Sequence, residues 1–433
     1  MVKISQDSKI SLGATTAFTL LSMLVGINDY VRSCIWEKCS HPSFIHNLTI
    51  NWDGGWYQSV VTHGYSFNGD FGNYSNIAFF PGLPLIGRLA YLISSGNEII
   101  YLTIIVIFNI VLLFLTIKCS ISILYLISGK KEIDLKFRAL LALLIASMPS
   151  ILFYISLYSE PILLFGLIHC YYYSLRKEYL KASIFAGIAS SAKSLGIVGL
   201  LIIMSSIILN EYGNVLKSSL KSNTNRFLKN LPKLILLVTV GLSGIIGFSI
   251  YQNITLGDPL AFVKIQQAWS RDTKSSLVAK SRNMFKSNVT NLATPQRMPE
   301  GRVTVGPENQ SRSSKYMKAL YALYNTASTL LIVPLFGFLI YKFHKTKLNT
   351  KGLPLAFMAT LVTLLIPLST GTFASMNRYS IFGVILLSIF LVSYCLQCYS
   401  SNNTKRLLLL AIVINFALQA IFMACFVSYT SVG

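Results

Sequence analysis

An aspartate set among aromatic residues stands at Trp52-Asp53-Gly54-Gly55-Trp56-Tyr57, just after the first apolar run of a chain holding only 15 acidic residues in 433. A carboxylate at a membrane boundary is costly unless a cation or a protic substrate uses it. Held near a substrate hydroxyl in a water-poor cleft, Asp53 could serve as a general base. In the open, Asp-Gly-Gly is also ordinary turn chemistry. Trp52, Trp56 and Tyr57 add flat faces that suit sugar rings and lipid tails. Ten residues beyond Asp53, in His63-Gly64-Tyr65, an imidazole could bind phosphate or orient a carboxylate, or simply fill a structural role.

Four later segments carry polar groups where apolar runs meet. Glu160, in Leu157-Tyr158-Ser159-Glu160-Pro161, has a helix-start role available, with proline at the first turn and an acid against the helix dipole. Lys193 lies between two short apolar stretches, beside Ser190, Ser191 and Ser194. An ammonium there needs an anion, either a substrate phosphate or Glu160 or Asp53, unless it snorkels. Arg378, in Ser375-Met376-Asn377-Arg378-Tyr379, offers the fork that recognises phosphate, or reaches lipid headgroups from a helix end. Gly257-Asp258-Pro259 through Gln266-Gln267-Ala268-Trp269 reads as a short interfacial helix with an aromatic, polar face.

Together these residues make one base, cations for a phosphate and aromatic platforms. Such a set suits transfer of a group from a lipid-linked phosphate to a hydroxyl acceptor, with a cation stabilising the leaving phosphate as charge develops. No Walker motif, dinucleotide fingerprint or zinc signature occurs, which argues against a soluble nucleotide-sugar or ATP-driven reaction. One secure acid near the site is thin for metal coordination, so neither a metal nor another cofactor is expected. A transporter or flippase of lipid-linked sugars would use the same aromatics and cations without a base. It would usually show broken helices in two related halves, and no such halves are evident in the sequence.

The elements that must position these residues are membrane helices. Hydrophobic residues make up 53% of the chain and charged residues 12%, against about 25% charged in soluble proteins. Several apolar runs exceed the roughly 20 residues that cross a bilayer. The expectation is an all-α polytopic membrane protein with spans near 11–31, 98–127, 137–156, 160–175, 181–192, 194–209, 234–253, 319–341, 353–370, 379–399 and 407–430. The net charge of +22 is then topological, not a nucleic-acid footprint, because Lys and Arg collect in cytoplasmic loops. Splitting 181–209 into two passes meeting at Lys193 puts the basic clusters at 130–138, 176–181, 217–233, 342–351 and 405–406 on one side. The external side then receives 32–97, Ser159-Glu160, Lys193, 254–318 and Asn377-Arg378. The loop 254–318, with 11 Lys and Arg against four acids, departs from this pattern, which long loops can do. Phe79-Phe80-Pro81-Gly82 opens a stretch interrupted by Arg88, better suited to lie in the interface than to span. Cys34 and Cys39 could pair if the external side is oxidising. The chain reads as one domain, 1–433.

The first-loop block is similar to that of a known family. Trp52-Asp53-Gly54-Gly55-Trp56-Tyr57, His63-Gly64-Tyr65 and Ala78-Phe79-Phe80-Pro81 through Pro84-Leu85 resemble the signature of the PIG-V mannosyltransferases, membrane glycosyltransferases of the GT-C class. Leu157-Tyr158-Ser159-Glu160-Pro161 resembles the family's Tyr-Ser-Glu turn. Ala189 through Gly196 resembles its Ala/Ser-rich segment, with Lys193 where arginine is usual. Charge is kept there but the bidentate fork is lost. Gly257-Asp258-Pro259 through Gln266 and Trp269, with Arg378-Tyr379, look more like the bacterial branch. The resemblance implies a GT-C-type bundle of about 11 spans and inverting transfer of a hexose, commonly mannose, from a polyprenyl- or dolichyl-phosphate donor. Asp53 would be the base; Lys193, Arg378 and His63 would face the donor phosphate. Trp52, Trp56, Tyr57, Tyr65, Glu160, Gln266 and Trp269 would line the substrate and acceptor site. The acceptor would be a glycan, glycolipid or protein hydroxyl, and the membrane a bacterial cell membrane, or the ER for a eukaryotic chain.

Overall fold

The structure, a computed structural model, describes residues 5–36, 43–212, 220–269, 320, 323–368, 376–398 and 402–427. Cys39, the Cys34 side chain and most of the 254–318 loop lie outside the described residues.

Among the described residues every regular element is helical. A bundle begins with α1 (Gln6–Trp36) and the 31-residue α5 (Glu98–Ser128). The latter has clear ends: Asn97 accepts from the Ile100 N–H at its start, and Gly129, with φ of 67°, closes it in the left-handed conformation. Between them the first loop folds into α2 (Phe44–Thr49), α3 (Asp53–His63) and α4 (Gly82–Ile93). The helix foreseen after Pro81 is α4. Its Leu85, Leu89, Leu92 and Ile93 are exposed, while Leu83 and Ala90 are buried, and Arg88 donates to the carbonyls of Val61 and Thr62 at the end of α3.

The chain continues with α6 (Leu135–Ala146), a 3-10 segment Pro149–Ile155, α7 (Glu160–Leu175), α8 (Tyr179–Ala192) and α9 (Ile197–Ile207). It then runs through α10 (Leu220–Gly241), α11 (Ser243–Leu256) and the short α12 (Ala261–Lys264). Helices α13 (Ile332–Lys345), α14 (Leu353–Leu368), α15 (Met376–Gln397) and α16 (Asn402–Val427) complete it. Helix α7 sits at the centre, packed on α5, α8 and α9, with α15 across it. Phe153, Tyr154, Tyr158, Leu167 and Tyr171 are fully buried there.

The helices fall where the apolar runs do, but the expected count of eleven spans is not confirmed. Among the described residues five helices are long and apolar enough, by length and composition, to cross a membrane, or seven if two sharply bent pairs each count as one. The reason is rise per residue. At 16, 14, 11 and 16 residues, α7, α8, α9 and α14 are short; at 1.5 Å per residue none exceeds about 24 Å, less than the roughly 30 Å hydrocarbon core. The bends lie between α6 and Pro149–Ile155 (73°) and between α10 and α11 (66°).

The short helices serve a different purpose: they bring their ends together. Helix α8 stops at Lys193, whose backbone is extended, and a 3-10 turn Ser194–Gly196 leads into α9. The turn is tight because a Cβ at Gly196 would strike the backbone of Ala189 and Ser190. On another side, a Cβ at Gly244 of α11 would strike the backbone of Ser190 and Ser191. Small residues thus clamp the tip of α8 and fix where Lys193 emerges.

Candidate functional site

Asp53 is the first residue of α3, and the turn before it is held against the start of α7. Trp52 precedes it with φ of 53° and ψ of −114°, a combination costly for a residue with a side chain and found mostly where the surroundings enforce it. The enforcing contacts are visible. Tyr158 donates through its hydroxyl to the Asn51 carbonyl (3.1 Å) and accepts from the Asp53 N–H (3.2 Å), and the Leu157 N–H donates to the Thr49 carbonyl (3.1 Å). Gly54 fits because a Cβ there would lie 2.8 Å from the Thr49 oxygen. The Tyr-Ser-Glu turn therefore acts as the seat of the aspartate.

Four charged side chains meet at this seat. Arg378 donates from Nη1 to Asp53 Oδ2 (2.7 Å) and from Nε to Glu160 Oε1 (2.6 Å). Its Nη2 also lies 2.6 Å from that Glu160 oxygen, as an ion pair rather than a well-directed hydrogen bond. Lys193 donates to the same oxygen from the other side (2.5 Å). Two carboxylates and two cations balance. They are layered: the side chains of Glu160 and Arg378 are 1% and 5% exposed, those of Lys193 and Asp53 17% and 30%. The buried pair is the foundation, with the Arg378 guanidinium 5.2 Å from the Phe153 ring centre and 4.7 Å from that of Tyr158. The outer pair faces a cavity of about 220 Å³.

That cavity has a polar floor and apolar walls. Asp53, Tyr57, Lys193 and Ser194 line it with Phe79, Phe80, Phe262, Gln266, Pro367 and Tyr379. The Lys193 ammonium sits 5.2 Å from the centre of the Tyr379 ring. Tyr57 donates to Ser159 Oγ at 2.7 Å. Burial, then the Glu160 carboxylate, push its phenol well above the ordinary tyrosine range, so Tyr57 stays a neutral donor. Asp53 Oδ1 accepts no hydrogen bond among the described residues. The arrangement can thus orient a carboxylate toward a protic group while an ammonium stands across the same cavity.

The remaining residues singled out in the sequence take other places. Trp56 stacks on Phe79 at 6.1 Å and 15°; Trp52 packs against the core, its indole N–H buried without a hydrogen-bond partner among the described residues. Tyr65 donates to the Phe79 carbonyl (2.7 Å) and packs on Phe248 and Tyr251, bracing the wall from behind. His63 is exposed, its Nδ1 2.8 Å from the hydroxyl of Thr62, and does not line the cavity. Gln266 reaches the cavity, whereas the Trp269 side chain lies outside the described residues. Among the described residues no group of three His, Cys, Asp or Glu side chains comes together.

Sequence reasoning missed Gln252, a fully buried amide on α11. A glutamine within an otherwise apolar run was the available signal.

Neither a protein-family model nor a curated protein matches the chain. Among solved structures it is similar to the Archaeoglobus fulgidus oligosaccharyltransferase tethered to an acceptor peptide (TM-score 0.48, 13% identity), covering 97% of this chain and 55% of that one. It is also similar to the archaeal oligosaccharyltransferase AglB from the same organism in complex with an inhibitory peptide and a dolichol-phosphate (TM-score 0.45, 14% identity), covering 97% and 56%. The chain thus spans about half the length of the solved structures it resembles.

Proposed function

We propose that this chain is a membrane glycosyltransferase of the GT-C type, moving a hexose, most simply mannose, from a polyprenyl- or dolichyl-phosphate donor to a hydroxyl acceptor at the external or lumenal face. The observation that carries the reading is the shared cavity: the carboxylate of Asp53 and the ammonium of Lys193 line one space, each with its countercharge buried beneath it. The first-loop motifs of the PIG-V type support it from the sequence side.

In the proposed step the acceptor oxygen attacks the anomeric carbon as the bond from that carbon to the phosphate oxygen breaks. The proton passes from the acceptor to Asp53, and the electron pair leaves with the polyprenyl phosphate. Inversion follows from attack opposite the leaving group. Lys193 meets the charge that develops on the phosphate, where a fixed cation in a water-poor site is worth most. Arg378 holds Asp53 from below. Tyr57 and Gln266 orient the sugar or the acceptor, and Phe79, Phe80 and Tyr379 give apolar faces to the sugar and the first isoprene units. The test is release of polyprenyl phosphate from labelled polyprenyl-phosphate mannose, with Asp53→Asn as the control.

One observation favours a second reading, a transporter or flippase of lipid-linked sugars. The two bent helix pairs, at 135–155 and 231–256, are of the kind that breaks spans near a transported substrate. That reading requires the donor to cross vesicles intact; release of free polyprenyl phosphate in step with sugar transfer excludes it.

A further inference from the structure

We infer that Gln252 is a positioning residue for the transfer proposed above, its carboxamide tying two separate loops into one wall over Asp53 and Lys193. Gln252 is completely buried on a helix whose neighbours Tyr251 and Asn253 are exposed. Its Nε2 donates to the Ile77 carbonyl at 2.9 Å, and its Oε1 accepts from the Phe262 N–H at 2.8 Å. Ile77 lies in the first loop, directly before Ala78, Phe79 and Phe80, which line the cavity; Phe262 lines it from the other loop, four residues before Gln266. One side chain therefore sets the distance between the two walls.

The chain around Gln252 is built to make that meeting. Gly257, with φ of 70°, ends α11 and turns the backbone so that the 261–269 strap runs back over the cavity. The strap is then packed from both sides. Ile77, Ala261 and Ile265 form one small apolar cluster. Phe80, Phe248 and Phe262 form another, with the Phe80 ring 5.0 Å from each of the other two. These contacts hold the strap against the first loop but do not fix its register along it. A carboxamide does, because it donates at one end and accepts at the other. Leucine in its place would leave a buried carbonyl and a buried N–H unpaired, which costs more than the bonds return when made.

The test uses the full-length protein in nanodiscs, as wild type, Gln252→Leu and Gln252→Glu, with hydrogen exchange and donor kinetics measured on each. Ionised glutamate keeps an acceptor for the Phe262 N–H and loses the donor to Ile77, whereas the protonated form could still donate to it. For Gln252→Leu we expect exchange about tenfold faster at Phe262, no change in α5, and a donor KM raised about tenfold with kcat within threefold, using polyprenyl-phosphate mannose as the probe. Gln252→Glu should keep Phe262 protected and raise KM less. Wild-type exchange at Phe262 in Gln252→Leu, acceleration spread over the whole bundle, or a fall in kcat with KM unchanged would each overturn the inference. A wild-type protein without donor turnover would refute the transfer reading, and the exchange rates alone would then decide whether Gln252 holds the strap.

Discussion

Glu160 holds two cations through one oxygen, and its other oxygen, Oε2, is buried with no hydrogen-bond partner among the described residues. Removing one member of so buried a set is costly because it strands the others. Glu160→Gln should lower stability by about 3–5 kcal/mol, seen as a drop in thermal midpoint of the detergent-solubilised protein, and Lys193→Met added to it should restore part of the loss. An unchanged midpoint would mean that water already compensates both cations. Lys193 is better placed than Arg378 to meet a ligand, since it lines the cavity. Lys193→Gln is therefore expected to raise the donor KM severalfold with little loss of stability beyond its share of the cluster, and Lys193→Arg to retain activity. The charges at 53, 160, 193 and 378 were legible in the sequence because polar groups are rare in such a chain: the last three stood where apolar runs meet, and Asp53 stood among aromatic residues in the first loop. What the sequence left open was who pairs with whom. Partner choice depends on three-dimensional distance, and Glu160, besides starting a helix, is the common counterion of Lys193 and Arg378.

The tip of α8 depends on helices that approach almost to backbone contact. Gly244→Val places a side chain into Ser190 and Ser191 and should abolish accumulation of folded protein, whereas Gly247→Ala, one turn along the same helix and with open space at its Cβ, should be tolerated. Size-exclusion profiles of the two variants in detergent check this directly; equal profiles would remove α11 from the support of Lys193. The break at Lys193 was legible, since a lysine and three serines interrupt an apolar run. The lengths were not. Hydropathy marks where a chain is apolar but does not separate a helix that crosses lipid from a shorter one buried among other helices, as α7 is. The docking of the 261–269 strap was equally hidden, because a hydrogen bond from Gln252 to Ile77 joins residues 175 positions apart.

Across the molecule, α5 joins the first loop to the basic segment after Gly129 and is long and apolar enough to cross a membrane, so the proposed membrane enzyme has those two regions on opposite sides. In a variant stripped of native cysteines, a membrane-impermeant maleimide applied to intact cells should label Asn68→Cys and spare Lys131→Cys; the reverse pattern would invert the orientation. Both positions are exposed, so labelling reports sidedness rather than burial. On the proposed function that orientation has the cavity face the external or lumenal compartment, and the chemistry can be read out by product. The decisive assay incubates purified wild-type and Asp53→Asn protein with labelled polyprenyl-phosphate mannose and polyprenyl-phosphate glucose, plus a mixed pool of membrane glycolipid acceptors. Free polyprenyl phosphate should accumulate with the wild type, and with Asp53→Asn it should fall to background while membrane insertion is retained. Equal release by the two proteins would contradict a base at position 53, and with it the chemistry assigned to the cavity.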